Sequence, residues 1–212
     1  MILLVLGSIT GVVVFDGTAP VRKEIERDTD PVCAKTKELT EDVIVDHGHL
    51  RDVLVHVVKG AAPSKAPDAP VVLAQHDCRY EPRVSAVIAG QKIAIHNGDP
   101  TYHNVHGTLA GKNVWNDSQP AGDPDLVKDA PGKPGDVINH HCDVHAWMQA
   151  YTMIVDNPYF AVTGDDGAFT IGDLPAGTYT LEAWHPTLGK KTAKITIGRG
   201  KRADQKTTFH FK

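Results

Sequence analysis

The chain has 212 residues, 41% hydrophobic and 23% charged, with a formal net charge of −4. That length allows one large domain or two small ones, and the composition is that of an ordinary globular protein, not of a disordered chain or a membrane span. No Lys/Arg cluster stands out, so there is no basic field to recruit nucleic acid.

Residues 1–7 (MILLVLG) are apolar but too short to span a membrane as a helix. They lack the basic start and cleavage site of a full signal peptide. They read either as the remnant of one or as a first strand running into residues 9–15. Short β-branched runs separated by Gly, Pro, Asn and Asp then recur along the chain. They predict strands at 9–15, 42–46, 53–58, 71–74, 84–88, 92–96, 137–141, 151–156, 169–171, 178–184 and 192–197. No long stretch keeps a 3.6-residue period; 23–27 and 34–41 allow a helical turn at most. An all-β sandwich architecture follows. Residues 61–70 (AAPSKAPDAP) read as a linker. Residues 111–135, rich in Gly, Pro and Asp, read as a long excursion between strands, either a cover for a site or a plain surface insertion.

The cysteines are Cys33, Cys78 and Cys142. Cys142 lies among histidines. Cys33 and Cys78 both sit in turn-like stretches, and in an oxidising compartment they are expected to pair as a disulfide.

The chemistry concentrates in residues 140–148, HHCDVHAWM. Cys142, His145 and Met148 put a thiolate, an imidazole and a thioether on one short loop, a soft-donor spacing suited to copper. A second imidazole must come from an upstream strand end, and His103 in Thr101–His106 (TYHNVH) is the candidate. Two imidazoles and a thiolate form the trigonal plane of a type 1 (blue) copper site, with a long axial methionine. The metal itself deprotonates the thiol. His141 adjoins Cys142 on a strand and so faces the opposite side; His106, His140 and His141 are expected to lie outside this ligand set. His47, His49, His56, His76, His96, His185 and His210 show no ligand spacing and read as surface or structural residues.

Around these residues the text of about 71–156 resembles a cupredoxin of the plastocyanin/amicyanin kind. Tyr80-Glu81-Pro82, the turn 87–93 (VIAGQKI), the turn 96–99 (HNGD), His103-Asn104-Val105, the Cys142–Met148 loop and the closing strand 150–155 carry the likeness. The two-residue gap between His145 and Met148 is the amicyanin length; Ala146 departs from the proline often found there. The resemblance implies a Greek-key β-sandwich binding one copper, with Asn104 holding the Cys142 loop by hydrogen bonds. Flanking it, residues 163–179 (TGDDGAFTIGDLPAGTY) and 11–20 (GVVVFDGTAP) resemble a carboxypeptidase regulatory-like, prealbumin-like sandwich. Together the two resemblances imply a split arrangement, with 1–65 and 158–212 forming the regulatory-like sandwich and 66–157 an inserted copper domain. Such a split places the strand at 9–15 beside that at 178–184.

The resemblance implies a single-electron carrier cycling Cu(I)/Cu(II), not an enzyme. It implies electrons entering through an exposed edge of His145 near Ala146 and Trp147, a redox partner such as a c-type cytochrome or an oxidoreductase, and a periplasmic or extracellular location. Two other readings stay open: a copper carrier or sensor module, and a copper oxidoreductase of nitrite-reductase type using His141 for a second ion. No nucleophile elbow, zinc-protease motif or phosphate loop is present.

Overall fold

The computed structural model describes residues 6–198 and 204–212; residues 1–5, on which the leader reading bears, lie outside them. The chain opens with β1 (Leu6–Phe15), β2 (Val45–Asp46), β3 (His49–Leu50) and β4 (Leu54–Lys59). There follow β5 (Val71–His76), β6 (Arg79–Glu81), β7 (Val84–Ile88), β8 (Lys92–Asn97), β9 (His103–Leu109), β10 (Lys112–Gln119), β11 (Leu126–Asp129), β12 (Val137–His141) and β13 (Gln149–Val155). It closes with β14 (Phe160–Val162), β15 (Ala168–Pro175), β16 (Gly177–His185), β17 (Gly189–Ile197) and β18 (Gln205–Phe211). Among the described residues the only helix is a 3₁₀ turn at Cys33–Lys35. The protein is all-β, and no described helix is long and apolar enough to cross a membrane.

The chain divides into two compact units. One takes the chain up to Arg22, then Glu41–Pro63, then Asn157 onward; the other takes Lys23–Thr40 and Ser64–Asp156. The linker-like stretch 61–70 spans the crossing from one to the other at Pro63. Residues 23–40 therefore go with 64–156, where the sequence put them with the flanking sandwich.

In the flanking unit one sheet runs β15-β1-β3-β2, with β18 also on β1, and the other runs β14-β4-β16-β17. One core fills the space between them: Ile9, Val13, Phe169 and Phe209 from the first, Val55, Val57, Leu181 and Ile195 from the second. β16 shows why the sequence makes a strand here. Tyr179, Leu181, Ala183 and His185 alternate inward at period two. Gly167 turns the chain into β15 at φ 62°, a left-handed conformation that favours glycine. The strand at 9–15 does not lie beside 178–184. β1 pairs with β15, β18 and β3, while β16 pairs with β4 and β17. Pro175 and Gly177 mark the passage between the sheets.

In the other unit the sheets run β10-β9-β12-β13-β7 and β11-β8-β5-β6. Val87, Val105, Ile138 and Ile154 of the first meet Leu73, Tyr80, Ile93 and Ile95 of the second in one core. The excursion at 111–135 contains β10 and β11, which edge one sheet each. Their burial is only partial, so polar residues alternate with few apolar ones and the strand signal is weak. Gly107 in β9 lets the Trp115 indole lie directly across the strand; a Cβ there would sit 2.3 Å from the ring.

Candidate metal centre

β9 and β12 are antiparallel neighbours, with His141 opposite His106. His103 opens β9, and residues 142–148 join β12 to β13. The loop closes on itself: the Met148 N–H donates to the His145 carbonyl at 2.9 Å, and the Cys142 N–H to the Met148 carbonyl at 3.3 Å. One tight turn thus fixes Cys142, His145 and Met148 relative to one another.

His103 from the start of β9 and Cys142 and His145 from the β12–β13 loop come together. The two Nδ1 atoms stand 2.9 Å apart, and Cys142 Sγ lies 3.8 Å from His145 Nδ1. Metal–ligand bonds of about 2.0–2.3 Å place donors around one ion roughly 3–4 Å apart. All three side chains are buried, as is Met148, which is 1% exposed.

The outward edges of both rings are engaged. His103 Nε2 donates to Asp99 Oδ2 at 2.9 Å, and His145 Nε2 faces Asp30 Oδ2 at 3.3 Å. An ionised carboxylate only accepts, so each ring carries its proton on Nε2 and, when neutral, turns an Nδ1 lone pair inward. Two lone pairs facing at 2.9 Å repel unless a proton or a metal ion sits between them. The donor set therefore fits a soft or borderline ion, with carboxylates fixing both imidazoles from behind. Burial pulls the His103 imidazole down, but the Asp99 carboxylate and Cys142 outweigh it and hold the ring above its ordinary pKa. Burial pushes the Cys142 thiol up; hydrogen bonds from His103 and the surrounding backbone reverse this and leave it below the usual thiol range. Asn104 Oδ1 accepts from the Asp143 N–H at 2.7 Å and from Cys142 Sγ at 3.2 Å, which ties the loop to β9.

Residues 23–40 add a feature that the sequence did not suggest. Cys33 is joined to Cys78 by a disulfide. Asp30 is held by the N–H groups of Val32 and Cys33 and by Thr101 Oγ1. Arg27 lies over the Trp147 ring, 5.8 Å from its centroid, and Trp147 Nε1 donates to the Cys78 carbonyl. This strap covers the outer edge of His145, with Cys33 Sγ 3.8 Å from Nε2. His145 is 1% exposed. The exposed imidazole edge expected of the site is thus absent, because a disulfide-tethered segment from far upstream occupies its place.

The remaining histidines stand apart from this cluster. His140 is buried beside Thr152, and burial pushes it down to about 3. His185 accepts the N–H groups of Thr187 and Leu188 in the flanking unit. His106 and His141 gather with Asp143 in a separate group. Sequence reasoning missed Asp99, Asp30 and Asp143. Asp99 lies in the 96–99 turn already singled out, and the expected disulfide was the one signal that could have brought Asp30 near.

The model of polysaccharide lyase family 4, domain II, matches residues 134–205, under half of the chain. It spans 163–179, one of the two stretches whose text resembles the regulatory-like module, and also the Cys142–Met148 loop. A comparison with curated proteins returns no match. Among solved structures, a novel purple cupredoxin from Nitrosopumilus maritimus is 18% identical, with 41% of this chain and 99% of that one covered and a TM-score of 0.34. Amicyanin from Paracoccus versutus is also 18% identical, with 47% and 96% covered and a TM-score of 0.36.

Proposed function

We propose that the unit built from 23–40 and 64–156 binds one copper ion in a type 1 site, with His103, Cys142, His145 and Met148 as ligands, and that the protein is a single-electron carrier. The observation that carries this is the convergence of two Nδ1 atoms and one Sγ in a buried cluster whose imidazoles are each oriented by a carboxylate. When bound, copper supplies the one-electron step between Cu(I) and Cu(II). The chain's own residues do the rest. Asp99 and Asp30 keep both Nε2 atoms protonated and both Nδ1 atoms turned inward. Asn104 holds the sulfur-bearing loop against β9. The buried core around Met148 and Ile138 excludes water. A site held this way changes little between redox states, which suits electron transfer. Its partner is a redox protein such as a c-type cytochrome or an oxidoreductase, in the periplasmic or extracellular space where the Cys33–Cys78 disulfide persists. The flanking sandwich is a regulatory-like unit.

Voltammetry of the copper-loaded protein tests this reading. A reversible one-electron couple, lost in Cys142→Ser, is expected. Tight copper binding without any reversible couple would favour the carrier or sensor reading instead.

A further inference from the structure

We propose that His106, His141 and Asp143 form a second metal site, one that takes a borderline divalent transition ion such as Zn(II) or Cu(II). It is separate from the His103–Cys142–His145 cluster and does not depend on that cluster's being a copper centre.

Register builds the site. His106 on β9 lies directly opposite His141 on β12, so the two side chains leave the sheet on the same face. Their rings stand 4.2 Å apart, centroid to centroid. Asp143 follows His141 by two residues and swings back over the pair. Its Oδ1 lies 3.0 Å from His106 Nδ1 and 3.4 Å from His141 Nε2. Its Oδ2 is held by two amides, Asn104 Nδ2 at 3.0 Å and Asn116 Nδ2 at 2.9 Å. One carboxylate oxygen is therefore oriented from behind, and the other is left to share with two imidazoles. Oriented ligands of this kind are what a metal site needs beyond its donor atoms.

Access and chemistry agree with this. The side chains of His106, His141 and Asp143 are 21%, 31% and 46% exposed, so an ion reaches them from solvent. His106 Nε2 is buried without a hydrogen-bond partner among the described residues, and Nδ1 is the nitrogen that the ring turns to Asp143. Two imidazoles and one carboxylate suit Zn(II) or Cu(II) and leave a position for water. Asn104 touches both clusters: its Oδ1 accepts from Cys142 Sγ, and its Nδ2 donates to Asp143. Asp143 itself belongs to the Cys142 loop, so an ion on it bears on that loop directly as well as through Asn104.

The test is a Zn(II) titration of the full-length protein followed by imidazole ¹H–¹⁵N spectra, which resolve the histidines singly. Zn(II) is expected to move the His106 and His141 nitrogens together, by the second equivalent in the wild type, whose His103–Cys142–His145 cluster competes for the ion, and in His103→Ala alike. His106→Gln, His141→Gln and Asp143→Asn should each weaken that response by at least the about 10–100-fold that follows loss of an outer-shell partner. The glutamine variants keep a polar side chain on the sheet, and circular dichroism confirms that they fold. Saturable shifts confined to His103 and His145, or no saturable shifts at all, would overturn the proposal. So would unchanged Zn(II) affinity in folded His106→Gln and His141→Gln. Failure of the type 1 reading shows up separately, as absence of a Cys142-dependent redox couple.

Discussion

Replacing Cys33 and Cys78 together by alanine should loosen the strap that covers His145. The disulfide closes a stretch of 45 residues. The chain-entropy relation for a loop of that size gives about 4 kcal/mol at 25 °C. At a urea slope of about 2 kcal/mol/M, the unfolding midpoint of the unit that carries the strap should drop by about 2 M. Of the three tryptophans, Trp115 and Trp147 lie in that unit and Trp184 in the other. A Trp184→Phe background therefore lets fluorescence report the strap's unit alone. Copper-loaded protein supplies the second readout. With the strap untethered and the Cys33 sulfur gone, Asp30 leaves the His145 edge, and a chelator should extract copper faster than from the wild type. A midpoint change below about 0.5 M would refute the tether. An unchanged extraction rate alongside a lowered midpoint would refute the claim that the strap is what shields His145.

Other expectations follow from single contacts. Asp99→Asn removes the charged acceptor behind His103 and should weaken copper binding by about 10–100-fold with the fold intact, as read by competition against a chelator. Asn104→Ala strips the Asp143 N–H of its acceptor; a stability loss of about 1–3 kcal/mol in urea and a shifted visible spectrum are expected. Gly107→Ala drives a Cβ into the Trp115 ring and should cost about 1–3 kcal/mol by thermal or urea unfolding, with little change in copper stoichiometry. Met148→Leu keeps the buried volume and should leave stability within about 1.5 kcal/mol while changing the spectrum; an unchanged spectrum would remove Met148 from the ligand set.

The parts of the fold that sequence foretells are those where apolar residues alternate or run together. Val84–Ile88 is buried throughout, and Tyr179 to His185 alternate inward. Both patterns are visible in the text. β10 and β9 were not foreseen, because KNVWNDSQ and HNVHGTL carry too few apolar residues to show a period; sheet neighbours, not propensity, make them strands. The strap is harder still. Residues 23–40 have no period of their own and are placed by long-range ties, Cys33 to Cys78 and Arg27 to Trp147. The donor cluster was legible because three of its residues lie within seven positions. Its carboxylate supports were not, since acidic residues are common and nothing near Asp30 announces a neighbour 115 positions away at His145. For the same reason the covered edge of His145 could not be foreseen.

The central claim is that Cys142 ligates copper in a trigonal site with His103 and His145. The most direct measurement is the visible and EPR spectrum of protein loaded with one equivalent of Cu(II), beside Cys142→Ser prepared identically. An intense visible sulfur-to-copper charge-transfer band in the wild type, absent from the variant, is the expected result. A colourless copper complex in both, with the same EPR spectrum, would contradict it.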